Sequence, residues 1–237
     1  MYSEEQVAGW KAVTDAVHAK GGLMFAQLWH CGRISHPSHQ ADGGLPVGPS
    51  PIAAANTPGL SVDFQEIEFP VPHELTADEI TRIIEDAVQA AKNAKAAGFD
   101  GIELHGASGY LYDQFMCDNS NTRTDKYGGS IENRCRLTLE TLAALSTVYE
   151  PGRVGVRFSP SSTFNEVNDS SPKETFTYAV AEADKLVCAQ GRVAILIESS
   201  NGSAPLFPAL LTFPGCSLAR LLDSVRGVVL HVFCFHH

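Results

Sequence analysis

Phe99-Asp-Gly-Ile-Glu-Leu-His-Gly-Ala-Ser-Gly-Tyr110 decides how this chain is read. The apolar run Phe99–Leu104 is too short for a helix and predicts a buried strand entered from Gly98. Its end presents an imidazole, His105, and a phenol, Tyr110, on one glycine-rich loop. In a barrel of alternating strands and helices, reactive groups sit on the loop after a strand's C-terminal end. A histidine that binds a developing oxyanion and a tyrosine that donates a proton suit that placement. Either residue alone reads as structural; sharing one loop favours a site.

Helix signals flank this strand. Ser3 with Gln6 forms a capping box before Val7, Trp10, Val13, Thr14 and Val17 at helical spacing, and Gly21-Gly22 stops the helix. Leu23 to Trp29 reads as a strand. Thr76 and Glu79 form a second box, with Ile80, Ile83, Ile84, Ala87, Val88 and Ala91 on one face and Gly98 as the stop. Ser130 caps a third helix with Cys135, Leu139 and Leu142 inward. Val154–Phe158 is a strand. Ser171, Pro172 and Glu174 open a fourth helix ending near Gly191, before the strand Val193 to Glu198. The alternation predicts an α/β fold of βα units on a parallel sheet, either doubly wound or a (β/α)8 barrel. Residues 31 to 75, rich in proline and glycine, read as a long functional excursion.

The chain has 237 residues, 44% hydrophobic and 19% charged, which is globular usage. With a net charge of −10 and no run of Lys or Arg, it lacks a nucleic-acid or membrane footprint, so partners are read as small molecules or other subunits. Six widely spaced cysteines without a Cys-x-x-Cys pair point away from zinc and disulfides. They fit reduced thiols in the cytoplasm. The N-terminus is polar and acidic, unlike a secretory signal, and no apolar run is long enough to span a bilayer. His30, His36 and His39 lack the helical His-x-x-x-His spacing of a zinc protease, so no metal is expected. Residues 1–200 read as one domain. Residues 201–237 carry few charges and no clear period. They read as an aberrant end produced by a shifted frame or gene-model error, the alternative being a genuine divergent tail.

Six ordered motifs carry a resemblance: Phe25-Ala-Gln-Leu-Trp-His-Cys-Gly-Arg33, Pro46-Val-Gly-Pro-Ser50, Phe99 to Ala107, Gly109-Tyr-Leu-Tyr-Asp-Gln-Phe115, Asn121-Thr-Arg-Thr-Asp-Lys-Tyr-Gly-Gly-Ser-Ile-Glu-Asn-Arg134 and Val154-Gly-Val-Arg-Phe-Ser-Pro160. Over residues 2 to 198 the chain resembles the Old Yellow Enzyme family of FMN-dependent ene-reductases, which includes the 12-oxophytodienoate reductases. The resemblance implies an FMN-linked (β/α)8 TIM barrel, here partial, spanning about strands 3 to 6. It implies FMN as cofactor, NADPH or NADH as reductant, and a small enone or nitro compound as substrate.

Without the resemblance Gln27 reads equally as a polar residue bonded to its neighbours inside a barrel, and Arg157 as a structural ion pair. By the resemblance Gln27 bonds the pyrimidine side of the flavin, and Arg157 faces the N1–C2 region where reduced flavin gathers negative charge. His105 binds the substrate carbonyl oxygen and Tyr110 protonates the substrate α-carbon; Trp29 reads as lining the pocket edge or as core packing. Ser108 departs from the family, which carries Asn or His there; it implies a weaker carbonyl clamp. Arg33 and the Thr122–Arg134 segment read as structural. The family's phosphate-binding segment has no counterpart in residues 201–237. The alternative is an inactive truncated piece that cannot hold FMN. With open sheet edges, such a piece would self-associate or aggregate.

Overall fold

The computed structural model describes residues 1–188 and 193–197. In chain order the main elements are α1 (Glu4–His18), β1 (Phe25–Leu28), α2 (Ala77–Ala96), β2 (Gly101–Gly106), α3 (Leu111–Met116), α4 (Ile131–Leu145), β3 (Val154–Phe158), α5 (Pro172–Cys188) and β4 (Val193–Ile197). The four strands form one parallel sheet in the order β1-β2-β3-β4. Parallel neighbours need crossovers, and α2, α4 and α5 supply them.

Both predicted capping boxes form: the Ser3 hydroxyl accepts the Gln6 amide, and the Thr76 hydroxyl accepts the Glu79 amide. Each hydroxyl satisfies one of the orphaned first-turn N–H donors of its helix. Ser130 caps α4 through the Asn133 amide. α1 docks through Thr14, whose hydroxyl donates to the Ala97 carbonyl at 2.6 Å, and through Trp10, whose ring meets that of Phe99 at 5.8 Å and a tilt of 51°. Val13, expected on the buried face, is 39% exposed; Thr14 is the residue that is buried. Gly98 adopts φ +86° beside Thr14, a turn conformation that a side chain would strain. Asp100 accepts the Met24 amide at 2.7 Å and pairs with His18 at 2.9 Å, which ties the start of β1 to the start of β2.

Register explains the burial pattern. Ala26, Ile102 and Val154 lie side by side, as do Leu28, Leu104 and Val156. All are buried on the helix-facing side, where Phe158 meets Phe176 of α5 at 5.8 Å. Alternation sends Gln27, Glu103, His105 and Arg157 to the opposite face. The sheet is therefore apolar toward its helices and polar on its other side.

Two predicted boundaries shift. β2 runs through Gly106, so His105 belongs to the last part of the strand rather than to the loop after it. α3 was not expected: all six of its residues are buried and its N-cap, Tyr110, makes no side-chain cap bond. The excursion 31–75 is ordered by a 3-10 turn at Pro37–His39, a parallel pair Val47–Gly48 with His73–Glu74, and an antiparallel hairpin Pro58–Leu60 with Glu66–Glu68. Arg123 ties its middle to its end, donating through Nη1 to the Pro49 carbonyl at 2.9 Å and the Leu75 carbonyl at 2.6 Å. Arg134 pairs with Asp169, both buried, and joins α4 to the turn before α5. Removing one partner of such a pair costs about 3–5 kcal/mol. These contacts give the Thr122–Arg134 segment its structural role. The predicted fourth-helix end at Gly191 and the tail 201–237 lie outside the described residues.

Candidate functional site

The polar face of the sheet is built in two rows. Gln27, Glu103 and Gly155 share one register level, and His105 and Arg157 share a later one. Glu103 joins three strands: its Oε1 accepts the Gln27 side-chain amide at 2.5 Å and Arg157 Nε at 3.2 Å. Gln27 and Glu103 are buried and Arg157 is half-buried. The carboxylate and guanidinium compensate each other's charge, which is what lets both leave water. Glu103 was missed from the sequence. An acidic residue within an apolar run is explained only when its phase is matched to His105 two positions on.

Above these rows three rings meet. Trp29 lies 5.5 Å from His105 and 4.6 Å from Tyr110, and His105 lies 5.2 Å from Tyr110. The two contacts of Tyr110 are edge-to-face, the arrangement that ring quadrupoles favour. His105 Nδ1 accepts the Ala107 amide at 3.3 Å, which puts the proton of the neutral ring on Nε2. Burial pushes the Tyr110 phenol above its ordinary value, outweighing a hydrogen bond with Asn165 that pulls it down. The phenol keeps its proton at neutral pH. Burial likewise raises the neighbouring Cys31 thiol to about 11, so it is no thiolate nucleophile.

The loop between His105 and Tyr110 is held by its backbone. Ser108 stands at φ 57° and Gly109 at φ 74°. The Ser108 amide donates to Ser159 Oγ at 2.7 Å, and the Ser108 carbonyl accepts Asn165 Nδ2 at 2.9 Å. The Gly109 amide donates to Asp113 Oδ2 at 2.9 Å, and Ser159 Oγ reaches the same oxygen at 3.4 Å. Asp113 is fully buried, and burial outweighs the hydrogen bonds from Gly109, Cys117 and Ser159 and raises its carboxyl to about 7. Asn165, Ser159 and Asp113 are supporting residues that sequence reading did not single out. They come from the loop after β3 and from α3, and no local pattern links them to His105.

All six predicted site residues gather on the C-terminal side of β1, β2 and β3: Gln27 and Arg157 through Glu103, His105, Tyr110 and Trp29 as a ring cluster, and Ser108 on the loop joining them. A separate cleft of about 660 Å³ opens between the excursion and α2, lined by Trp29, Leu60, Val62, Ile83 and Tyr112 among others; His105 and Tyr110 do not line it. His30, His36 and His39 are engaged locally, with the Gly32 amide, the Ser38 amide and the Leu60 carbonyl respectively. Among the described residues no three His, Cys, Asp or Glu side chains are grouped to hold a metal. Among them, no helix is long and apolar enough to cross a membrane.

This constellation, on parallel strands in barrel order, can be compared with known proteins. The sequence profile of the NADH:flavin oxidoreductase / NADH oxidase family matches residues 1–205. The chain belongs to that family, the Old Yellow Enzymes. A putative 12-oxophytodienoate reductase-like protein 1 of Arabidopsis thaliana is 48% identical over 178 residues, covering 75% of this chain and 53% of the relative. The 12-oxophytodienoate reductase 7 of Oryza sativa subsp. japonica is 46% identical, covering 83% of this chain and 50% of its own length. Among solved structures, morphinone reductase superposes with TM-score 0.77 at 39% identity over 86% of this chain and 55% of that one. The old yellow enzyme homologue of Zymomonas mobilis gives 0.77 at 36%, over 85% and 55%. The four-stranded sheet is thus part of a TIM barrel, and the chain spans about half the length of the relatives it matches.

Proposed function

We propose that the polar face of the sheet binds the ring system of FMN and that the ring cluster above it binds an α,β-unsaturated carbonyl compound for reduction of its C=C bond. The single observation that carries this is the meeting of His105, Tyr110 and Trp29 directly beyond the Gln27–Glu103–Arg157 chain.

The donor set fits the cofactor. The pyrimidine edge of a flavin presents one N–H between two carbonyl oxygens. Gln27 spends an N–H on Glu103, and its amide oxygen is then the group able to accept that flavin proton. Arg157 brings a cation to the region where reduced flavin carries negative charge. When bound, FMN supplies a hydride taken from NADH or NADPH.

The chain's own groups do the rest. His105, protonated at Nε2, donates to the carbonyl oxygen and stabilises the negative charge that grows there as the β-carbon is reduced. Tyr110 gives its proton to the α-carbon. Its raised pKa makes it a reluctant acid in the ground state but keeps it protonated across the physiological range. Trp29 packs both rings and excludes water from their shared edge. Ser108, fixed by its backbone, is the second polar group near the carbonyl.

The test uses the purified full chain mixed with FMN, NADPH or NADH, and a cyclic enone without oxygen. Flavin bleaching by the nicotinamide, recolouring by the enone and formation of saturated ketone support the reading. A colourless, aggregating chain supports an inactive piece, and a flavin that bleaches but is not reoxidised by the enone removes the C=C assignment.

A further inference from the structure

We propose that Glu103 is a positioning residue that sets how strongly the bound flavin is stabilised in its reduced form. The inference rests on the flavin reading above and adds to it a residue with a separate task.

Oε1 of Glu103 accepts from the Gln27 amide at 2.5 Å and from Arg157 Nε at 3.2 Å. Its side chain is 5% exposed and that of Arg157 is 20% exposed, so water screens the pair weakly. Two consequences follow. First, an amide can be flipped end for end at little cost unless a neighbour decides. Glu103 decides, because a carboxylate accepts and does not donate. The nitrogen of Gln27 is turned to Glu103, and its oxygen is turned away, as an acceptor for a flavin N–H. Second, Arg157 reaches the site already paired with an anion. The net charge offered to the ring is close to zero rather than +1. A bare guanidinium would stabilise the anionic reduced ring more and make it a weaker hydride donor. Glu103 moderates that cation.

Among the described residues at this level of the sheet, the strand neighbours of Glu103 carry no second carboxylate. Gly155 at the same register level has no side chain, and His105 is engaged by the Ala107 amide. Residues Ile102 and Leu104 on either side of Glu103 face the helices. Placing a carboxylate here opposes the burial preference of the strand, and the two bonds it accepts are what offset that cost.

The experiment is a dye-equilibrated reduction of FMN bound to the full chain, in wild type and in Glu103→Gln. The glutamine keeps an oxygen to accept both bonds but removes the charge. Oxidised FMN should bind within about threefold of wild type, because the polar partners remain. Reduced FMN should bind about tenfold more tightly relative to oxidised, an upward shift of about 30 mV for a two-electron couple. Glu103→Asp keeps the charge but withdraws it by one methylene. It should shift the potential in the same direction by about threefold in relative affinity, about 14 mV, and carries the test should the glutamine variant not fold. Glu103→Met, which leaves the Gln27 amide unguided, should weaken oxidised FMN about tenfold. Unchanged potentials in folded, FMN-binding variants overturn the role of Glu103 and leave the flavin reading intact. A wild-type chain that binds no FMN overturns both.

Discussion

Replacing Asp113 by asparagine should make the protein less sensitive to rising pH. The carboxyl moves from 3.8 in a free chain to about 7 in the fold, chiefly by burial. The folded state therefore holds a proton that the unfolded chain releases above about pH 4. A carboxyl raised in this way contributes most to stability below that pH. The contribution is lost as pH rises to about 7 and stays lost above it. Each pH unit in the window is worth about 1.4 kcal/mol, so the full span is on the order of 4 kcal/mol. Asparagine is neutral throughout. Its side-chain oxygen can still accept the Gly109 amide and the Ser159 hydroxyl, with its nitrogen facing Cys117. Urea unfolding at several pH values compares the two proteins, and the difference cancels every other titrating group. Between about pH 5 and about pH 8 the asparagine variant should gain about 2–3 kcal/mol relative to wild type. Parallel stability curves, or a variant that loses ground as pH rises, would refute the assignment of Asp113 as a carboxyl whose burial raises its pKa.

Other outcomes follow from the same geometry. Gly109→Ala places a methyl 2.5 Å from the Phe164 carbonyl and 2.6 Å from Asn165 Cβ at a positive φ, so it should cost about 2–4 kcal/mol by thermal melting. It should also lower enone turnover by displacing Asn165. Tyr110→Phe should leave FMN affinity unchanged and cut the rate of enone reduction about 10²–10⁴-fold, measured by flavin reoxidation. Should the rate hold, the proton comes from elsewhere. Ser108→Asn should raise kcat/KM on cyclic enones, in this chain or in a longer version of it, because a longer amide reaches the carbonyl directly rather than through water. Equal or lower kcat/KM counts against the clamp.

Much of the scaffold was legible because it is written locally. Ser3 with Gln6 and Thr76 with Glu79 announce their helices within four residues, and both boxes form. The strands at Phe25, Val154 and Val193 also stand within a residue or two of where apolar runs predict them. α3 was invisible for the opposite reason: its residues are buried all round, so no polar face marks a period, and Tyr110 supplies no cap bond. His105 proved to be a strand residue because Gly106 still pairs with Phe158 across the sheet, a long-range condition that the glycine conceals. At the site, the motif residues could be named but their wiring could not. Glu103 joins strands more than fifty residues apart, 54 to Arg157 and 76 to Gln27. Ser159 and Asn165 support Ser108 from 51 and 57 positions away.

The central claim is that the face carrying Gln27, Glu103 and Arg157 is a flavin seat, and a fluorescence titration of FMN into the purified chain tests it most directly. Saturable quenching at one FMN per chain with a Kd in the range of about 1–10 μM, weakened at least about tenfold in Arg157→Met, is the predicted result. No saturation at higher FMN, or equal affinity in wild type and variant, would contradict it.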